Sequence, residues 1–277
     1  MLTDYHLHLR TDDPGTDAAT YFTAGNVERY RAVAEERGIA ELGCAEHVYR
    51  FAQALAVWRH PLWRESAVDD IDAYAEFVRT QTDLKLGIEA DFVVGREDRM
   101  ATLIDARDWD FVVGSVHFVG EHAVDHDGYE VHDHRSQRPD ALWRRYFETL
   151  GEAARSGMFD ILAHPDLVKI WGPRRRPPPE GDLRRFYDLA MEGIAESKVA
   201  IEVSTAGLRK PVGELYPAPA FLEMCLDAGC PVALSSDAHV PGDVGRDYDA
   251  ALELLERLGV AELVVFERRR RTLETIG

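Results

Sequence analysis

A chain of 277 residues, 45% apolar and 30% charged, can bury one large core, and a (β/α) barrel of about 250 residues sets the expected scale for a single domain, residues 1–277. The formal charge of −18 opposes contacts to phosphate backbones, so no nucleic-acid partner is expected, and no run of eighteen apolar residues offers a membrane span. The first apolar segment follows Met1 directly and leaves no room for a cleavable leader, so a cytoplasmic protein is expected.

In chain order, short runs of strand type alternate with segments of helical period. A strand over 2–5 is followed by a helix over 26–37, with Asn26 as N-cap and Gly38 as its stop. A strand over 40–45 precedes a helix over 70–80 that opens on paired aspartates, and a strand over 84–89 precedes a helix over 98–106. Strands follow over 111–117, 159–163, 200–203 and 232–235, with helices over 140–156, 182–196, 219–228 and 248–258 after them. This alternation implies parallel strands joined by crossover helices, seven strands in all. A late run over 263–266 is either an eighth strand or an appendage.

Pro-rich residues 173–181 read as an extended loop, or as a basic rim that attracts phosphate. Arg268 to Arg271 read as a solvated face or helix end, and segment 120–136 as a lid or an ordinary long loop. Cys44, Cys225 and Cys230 form no CxxC pair and read as small buried hydrophobes. His60, His122, His126, His132 and His134 read as solvated loop residues.

Metal-ligating residue types recur at the C-terminal ends of the strand segments. His6 and His8 end the first, Glu46 and His47 the second, Glu89 and Asp91 the third, and His117 the fourth. His164 and Asp166 end the fifth, Glu202 the sixth, and Asp237 with His239 the seventh. In a parallel barrel these ends converge on one mouth, where active sites are assembled. Imidazole and carboxylate together suit zinc, manganese or iron(II).

The motifs Asp-Tyr-His-Leu-His, Ala-Glu-His, Ser-Val-His-Phe, Ala-His-Pro-Asp and Ser-Asp-Ala-His, in this order, resemble the PHP (polymerase and histidinol phosphatase) superfamily across nearly the whole chain. Glu-Val-Ser-Thr-Ala-Gly-Leu-Arg-Lys at 202–210, then Glu214-Leu215-Tyr216-Pro217, with Asp166-Leu167-Val168-Lys169, resemble its histidinol-phosphatase branch. The resemblance implies a distorted seven-stranded (β/α)7 TIM-like barrel with three divalent metals, Zn, Mn or Fe. It assigns His6, His8, Glu89 and Asp237 to the first metal. Glu89, as a bridge, goes with His117 and His164 to the second, and His47 with His239 to the third. Many relatives place a histidine six residues beyond the second His of the first motif; here that residue is Pro14, and Asp12 or Asp13 is the substitute.

The implied reaction is hydrolysis of a phosphomonoester, most specifically L-histidinol phosphate in histidine biosynthesis, by a metal-activated hydroxide. Glu89 and Asp237 would hold the reacting centre, with Asp13 or His239 giving the leaving alkoxide its proton and Arg209, Lys210 and Lys169 contacting the phosphate. Rival readings are a phosphatase for another small phosphorylated metabolite, a PHP phosphodiesterase or nuclease, and a non-catalytic metal-binding protein. A metal-dependent amidohydrolase, the nearest rival chemistry, commonly uses a modified lysine as its bridge, where this chain offers Glu89.

Overall fold

The computed structural model describes residues 1–12, 18–126 and 138–277. Seven parallel strands form one sheet in chain order: β1 (Leu2–Leu7), β2 (Ile39–His47), β3 (Lys85–Asp91), β4 (Phe111–Ser115), β5 (Ile161–Leu162), β6 (Ala200–Ser204) and β7 (Val232–Ser235). A parallel bridge between Leu7 and Ala238, with His8 N–H donating to Ala238 O at 2.8 Å, draws the last strand to the first at the C-terminal end. The expected TIM-like barrel of seven strands is the fold that forms.

The helices lie where the 3.6-residue period puts them, with end corrections. Asp70 caps the helix Ile71–Gln81 by accepting from Asp72 N and Ala73 N. Thr23, not Asn26, caps Ala24–Glu36; the Asn26 side chain instead ties Leu9 O and Tyr21 O together. Both residue types cap well, and the choice was made by the Asn26 amide finding buried carbonyls. Gly172–Arg175 form a single helical turn with Pro173 near its start, where its missing N–H costs nothing, so residues 173–175 depart from the extended-loop reading, and Arg175 stacks 3.7 Å from the Trp171 ring centroid.

The barrel interior is a separate small core of Tyr5, Ala45, Phe111, Val113, Ile161, Ala163, Ala200 and Ala233, and it includes Val264 and Phe266 from the C-terminal end of the chain. The 263–266 run is therefore an appendage. Glu262–Glu267 and Arg270–Thr275 form an antiparallel hairpin that stops the barrel at the end opposite the mouth. Its turn residues Arg268 and Arg269 have φ of 48° and 61°, which overturns the helix-end reading of the arginine run. Arg269 reaches Asp160 at 2.9 Å and Met158 O at 2.6 Å, fastening the hairpin. Glycine is required at position 43, where a Cβ would sit 2.6 Å from the Tyr5 ring and 2.7 Å from that of Phe111. The three cysteines are buried and unpaired, as expected.

Candidate metal centre

Strand ends deliver the donors, and backbone irregularities aim them. The pairing of β1 with β2 shifts register between Asp4 and Leu7, so that Tyr5 fills the barrel while the adjacent His6 also turns toward the axis above it. His47 lies opposite Glu89 in the β2–β3 register. His164 and Asp237 occupy left-handed backbone at φ 27° and 48°, a conformation that costs a non-glycine residue about 1–3 kcal/mol and clusters at functional sites.

Glu89 is at the middle and is 1% exposed. Its Oε1 lies 3.3 Å from His117 Nε2 and 3.2 Å from His164 Nε2. Its Oε2 lies 3.4 Å from His6 Nε2 and 3.7 Å from His8 Nε2, and also contacts His47 Nδ1. Asp237 Oδ1 faces His8 Nε2 at 3.3 Å and His6 Nε2 at 3.8 Å. His239 Nε2 is 3.3 Å from His47 Nε2 and 3.5 Å from Asp12 Oδ1. Among the described residues four donor groups result: His6–His8–Asp237, His6–Glu89–His164, His47–Glu89–His117 and His8–His47–His239, each with ligand atoms within 4.8 Å of one another. Asp12 borders the last group; Asp13 and Pro14 lie outside the described residues.

The remaining strand-end carboxylates are buried, and three of them back the histidines. Asp91 Oδ1 takes His117 Nδ1 at 2.8 Å, and Glu202 Oε1 takes His6 Nδ1 at 2.7 Å. Glu46 accepts Leu9 N at 2.7 Å, Arg10 N at 2.9 Å and Arg50 Nη1 at 3.0 Å, and stands 3.8 Å from His8 Nδ1. Asp166 leaves the centre altogether: it binds Ala218 N and Lys169. Such partners fix ring orientation and leave the other imidazole nitrogen for a metal.

Charge follows this layout. Burial opposes the Glu89 and Asp237 carboxylates, but the surrounding histidines, His47 foremost for Glu89 and His6 for Asp237, hold both well below the usual range. Burial also opposes imidazolium at His117, yet Glu89 and Asp91 hold it up at about 10. His6 is held well above its ordinary value against burial by Glu202, Glu89 and Asp237. Burial, with His8 adding to it, pushes His239 down to about 4, the neutral form a ligand needs. The centre thus demands compensating positive charge.

Buried atoms without a hydrogen bond test the fit of a cation. His6 Nε2, His8 Nε2, His47 Nδ1, Glu89 Oε2 and Asp237 Oδ1 are such atoms, and all belong to the facing donor groups. Buried polar groups are normally satisfied, and nitrogen and oxygen donors of this kind fit divalent transition metals.

The basic residues behave unequally. Lys169 Nζ is occupied by Asp166 at 2.9 Å, Glu214 at 3.1 Å and Leu215 O at 2.8 Å. Arg209 Nη2 donates to Ser236 O at 2.6 Å behind Asp237, while its buried Nη1 has no hydrogen bond. Lys210 is exposed, and its charge reaches Asp12. His60 is buried and caps the helix Pro61–Ser66, bonding Glu121 O with its other nitrogen, contrary to its reading as a solvated residue. His122 is half-buried and His126 exposed; His132, His134 and most of the 120–136 segment lie outside the described residues.

Sequence reasoning missed Ser115, whose hydroxyl donates to Glu89 Oε1 at 2.5 Å, and Ser235, which donates to Glu202 at 2.7 Å. It also missed Tyr49, stacked 4.7 Å from His47, and Arg50, which joins Glu46 to Asp12. Position at a strand end was the one available signal for the serines.

A family model described as PHP domain matches residues 6–206. A "Probable histidinol-phosphatase" of Deinococcus radiodurans is 33% identical over 270 residues, 97% of this chain and 98% of that protein. The histidinol-phosphatase of Bacillus subtilis is 25% identical over 202 residues, 68% of this chain and 75% of its own. Among solved structures, histidinol phosphate phosphatase from Lactococcus lactis, complexed with Zn, L-histidinol and phosphate, matches 98% of both chains with a TM-score of 0.68 at 19% identity.

Proposed function

The chain belongs to the PHP domain family, in its histidinol-phosphatase branch, and from that premise we propose that it is a metal-dependent phosphomonoesterase converting L-histidinol phosphate and water to L-histidinol and phosphate. The observation that carries the proposal is the division of Glu89 between two sets of histidines, His117 and His164 at one oxygen and His6 and His8 at the other.

In this reading His6, His8, Glu89 and Asp237 would hold the first of three divalent ions, Zn, Mn or Fe; Glu89, His117 and His164 would hold the second; and His47, His239 and Asp12 or Asp13 would hold the third. Bound there, they would supply the Lewis acidity and water activation that ester hydrolysis needs near neutral pH. The protein's part is positioning. Asp91 and Glu202 hold His117 and His6 in orientation, and Glu46 fixes the turn after β1. Arg209 and Lys210 are assigned to the phosphate, Arg209 because a buried guanidinium N–H remains unspent beside Asp237. Lys169, with three partners already, is assigned to hold the 214–216 segment in place instead. Of the two expected proton donors to the leaving alkoxide, Asp13 is assigned that role, and His239, neutral and facing His47, is assigned to the third metal alone.

One domain, residues 1–277, carries the activity in this reading, since β7 lies beyond the matched 6–206 region yet supplies Asp237 and completes the barrel. No described helix is long and apolar enough to cross a membrane. We place the reaction in the cytoplasm, a reading that three unpaired cysteines support. Phosphodiester cleavage would use the same donors, but a charge of −18 disfavours a polyanionic substrate.

The test is phosphate release by metal-analysed protein from L-histidinol phosphate, other phosphomonoesters and a bis-ester, with chelator and metal-replenished controls. Preferential, metal-dependent turnover of histidinol phosphate is expected. An inert histidinol phosphate beside cleavage of another ester would retain the metal chemistry and reject the substrate.

A further inference from the structure

One carboxylate near the mouth has no task in the site described above. Asp125 follows Val124, whose N–H donates to His117 O at 2.8 Å and whose carbonyl accepts the Trp171 indole N–H at 2.8 Å. The backbone is therefore clamped between the end of β4 and the segment after β5. Asp125 is half-buried, and its carboxylate makes no hydrogen bond or ion pair with another described residue.

Its charge nevertheless acts on Tyr49, Asp91, His117, Tyr146 and Tyr216. These residues stand at the ends of β2, β3 and β4, on the helix Pro139–Arg155 and in the loop after β6. Held by the Val124 backbone beside His117 at the end of β4 and Trp171 after β5, Asp125 lies at the rim of the mouth, and its charge acts on groups around that rim. Tyr216, 1% exposed with its ring 6.2 Å from that of His164, adds a second group on the inner wall, a buried hydroxyl with no hydrogen bond.

A carboxylate at the entrance with no partner among the described residues repels a phosphate dianion and would hinder a phosphatase whose substrates carry no other charge. It suits a substrate that carries a cation near its phosphate. We propose that Asp125 receives the ammonium group of the substrate, with the Tyr216 hydroxyl beside it as a further polar contact, so that the pair selects amino-alcohol phosphates over other monoesters. This inference rests on the histidinol-phosphate reading, in which the substrate's ammonium sits on the carbon next to the ester-bearing one. A charge-assisted contact in a partly buried site is strong enough to read as selectivity.

The experiment compares wild type with Asp125→Asn, which keeps shape and removes charge, on L-histidinol phosphate and on p-nitrophenyl phosphate, which has no ammonium. Metal content is measured in both proteins. The ratio of kcat/KM for the two substrates should fall about tenfold or more in the variant. The inhibition constant of L-histidinol should rise by a similar factor, more than that of inorganic phosphate, and Tyr216→Phe should shift both in the same direction by less. Equal losses on the two substrates, or an unmoved inhibition constant for L-histidinol, would overturn the assignment. A wild-type protein that fails to hydrolyse histidinol phosphate would instead sink the parent reading and this inference with it, an outcome visible before any variant is made.

Discussion

His6 Nδ1 lies 2.7 Å from Glu202 Oε1, a side-chain contact between β1 and β6, which have β7 between them in the closed sheet. The same carboxylate accepts the Ser235 hydroxyl at 2.7 Å and His164 N–H at 2.6 Å, so one side chain fixes two of the histidines that face Glu89. Glutamine at 202 would bring an NH2 where donors already point. Glu202→Gln is expected to weaken metal binding by about 10–100-fold, measured by chelator competition. Retention of metal equal to wild type would remove Glu202 from the support of His6.

Glu89→Gln attacks the centre directly. The amide cannot offer an anionic oxygen to both histidine sets, so hydrolysis should drop by about two orders of magnitude or more, with fewer ions bound per chain. Circular dichroism should stay native, because the barrel core of Tyr5, Phe111 and Phe266 is untouched. Near-normal turnover would take Glu89 out of the site.

Proton linkage gives a prediction with a defined sign. Glu89 and Asp91 raise His117 from 6.5 to about 10 against the effect of burial. A raised folded pKa contributes stability that is fully present below pH 6.5 and is lost as pH rises through about 10. Metal replaces that proton, so the metal-free protein should lose stability across this window while the gain in Tm on adding metal increases. Thermal melts with and without chelator across the window check it, and calorimetry in two buffers should register proton release on binding. A gain independent of pH would contradict the linkage.

Phe266→Ala tests the plug. The ring fills the barrel end opposite the mouth, with its centroid 5.8 Å from that of Tyr5, and its loss should cost about 3–5 kcal/mol by denaturant unfolding. Metal content of the folded fraction should match wild type. A cost below about 1 kcal/mol would mean that the hairpin does not seal the core.

Most of the architecture was legible in the chain because its signals are local. Apolar runs of period two and period 3.6 mark the seven strands and their crossover helices, and ligand-type residues recur just after each strand run, where every parallel strand must end on the same mouth. His6, His8, His47, Glu89, His117, His164, Asp237 and His239 can therefore be gathered from the chain alone. The division of labour among the carboxylates could not. Glu89 and Glu202 are the same residue type at equivalent strand ends, yet one faces the donors and the other backs His6, because side-chain direction depends on register and local bulges set by neighbouring strands. The fate of the last apolar run was hidden for a related reason: Val264 and Phe266 find their partners in Tyr5 and Phe111, more than 150 residues away. A period along the chain can show that a segment has a buried face; only closure of the barrel decides what that face is buried against.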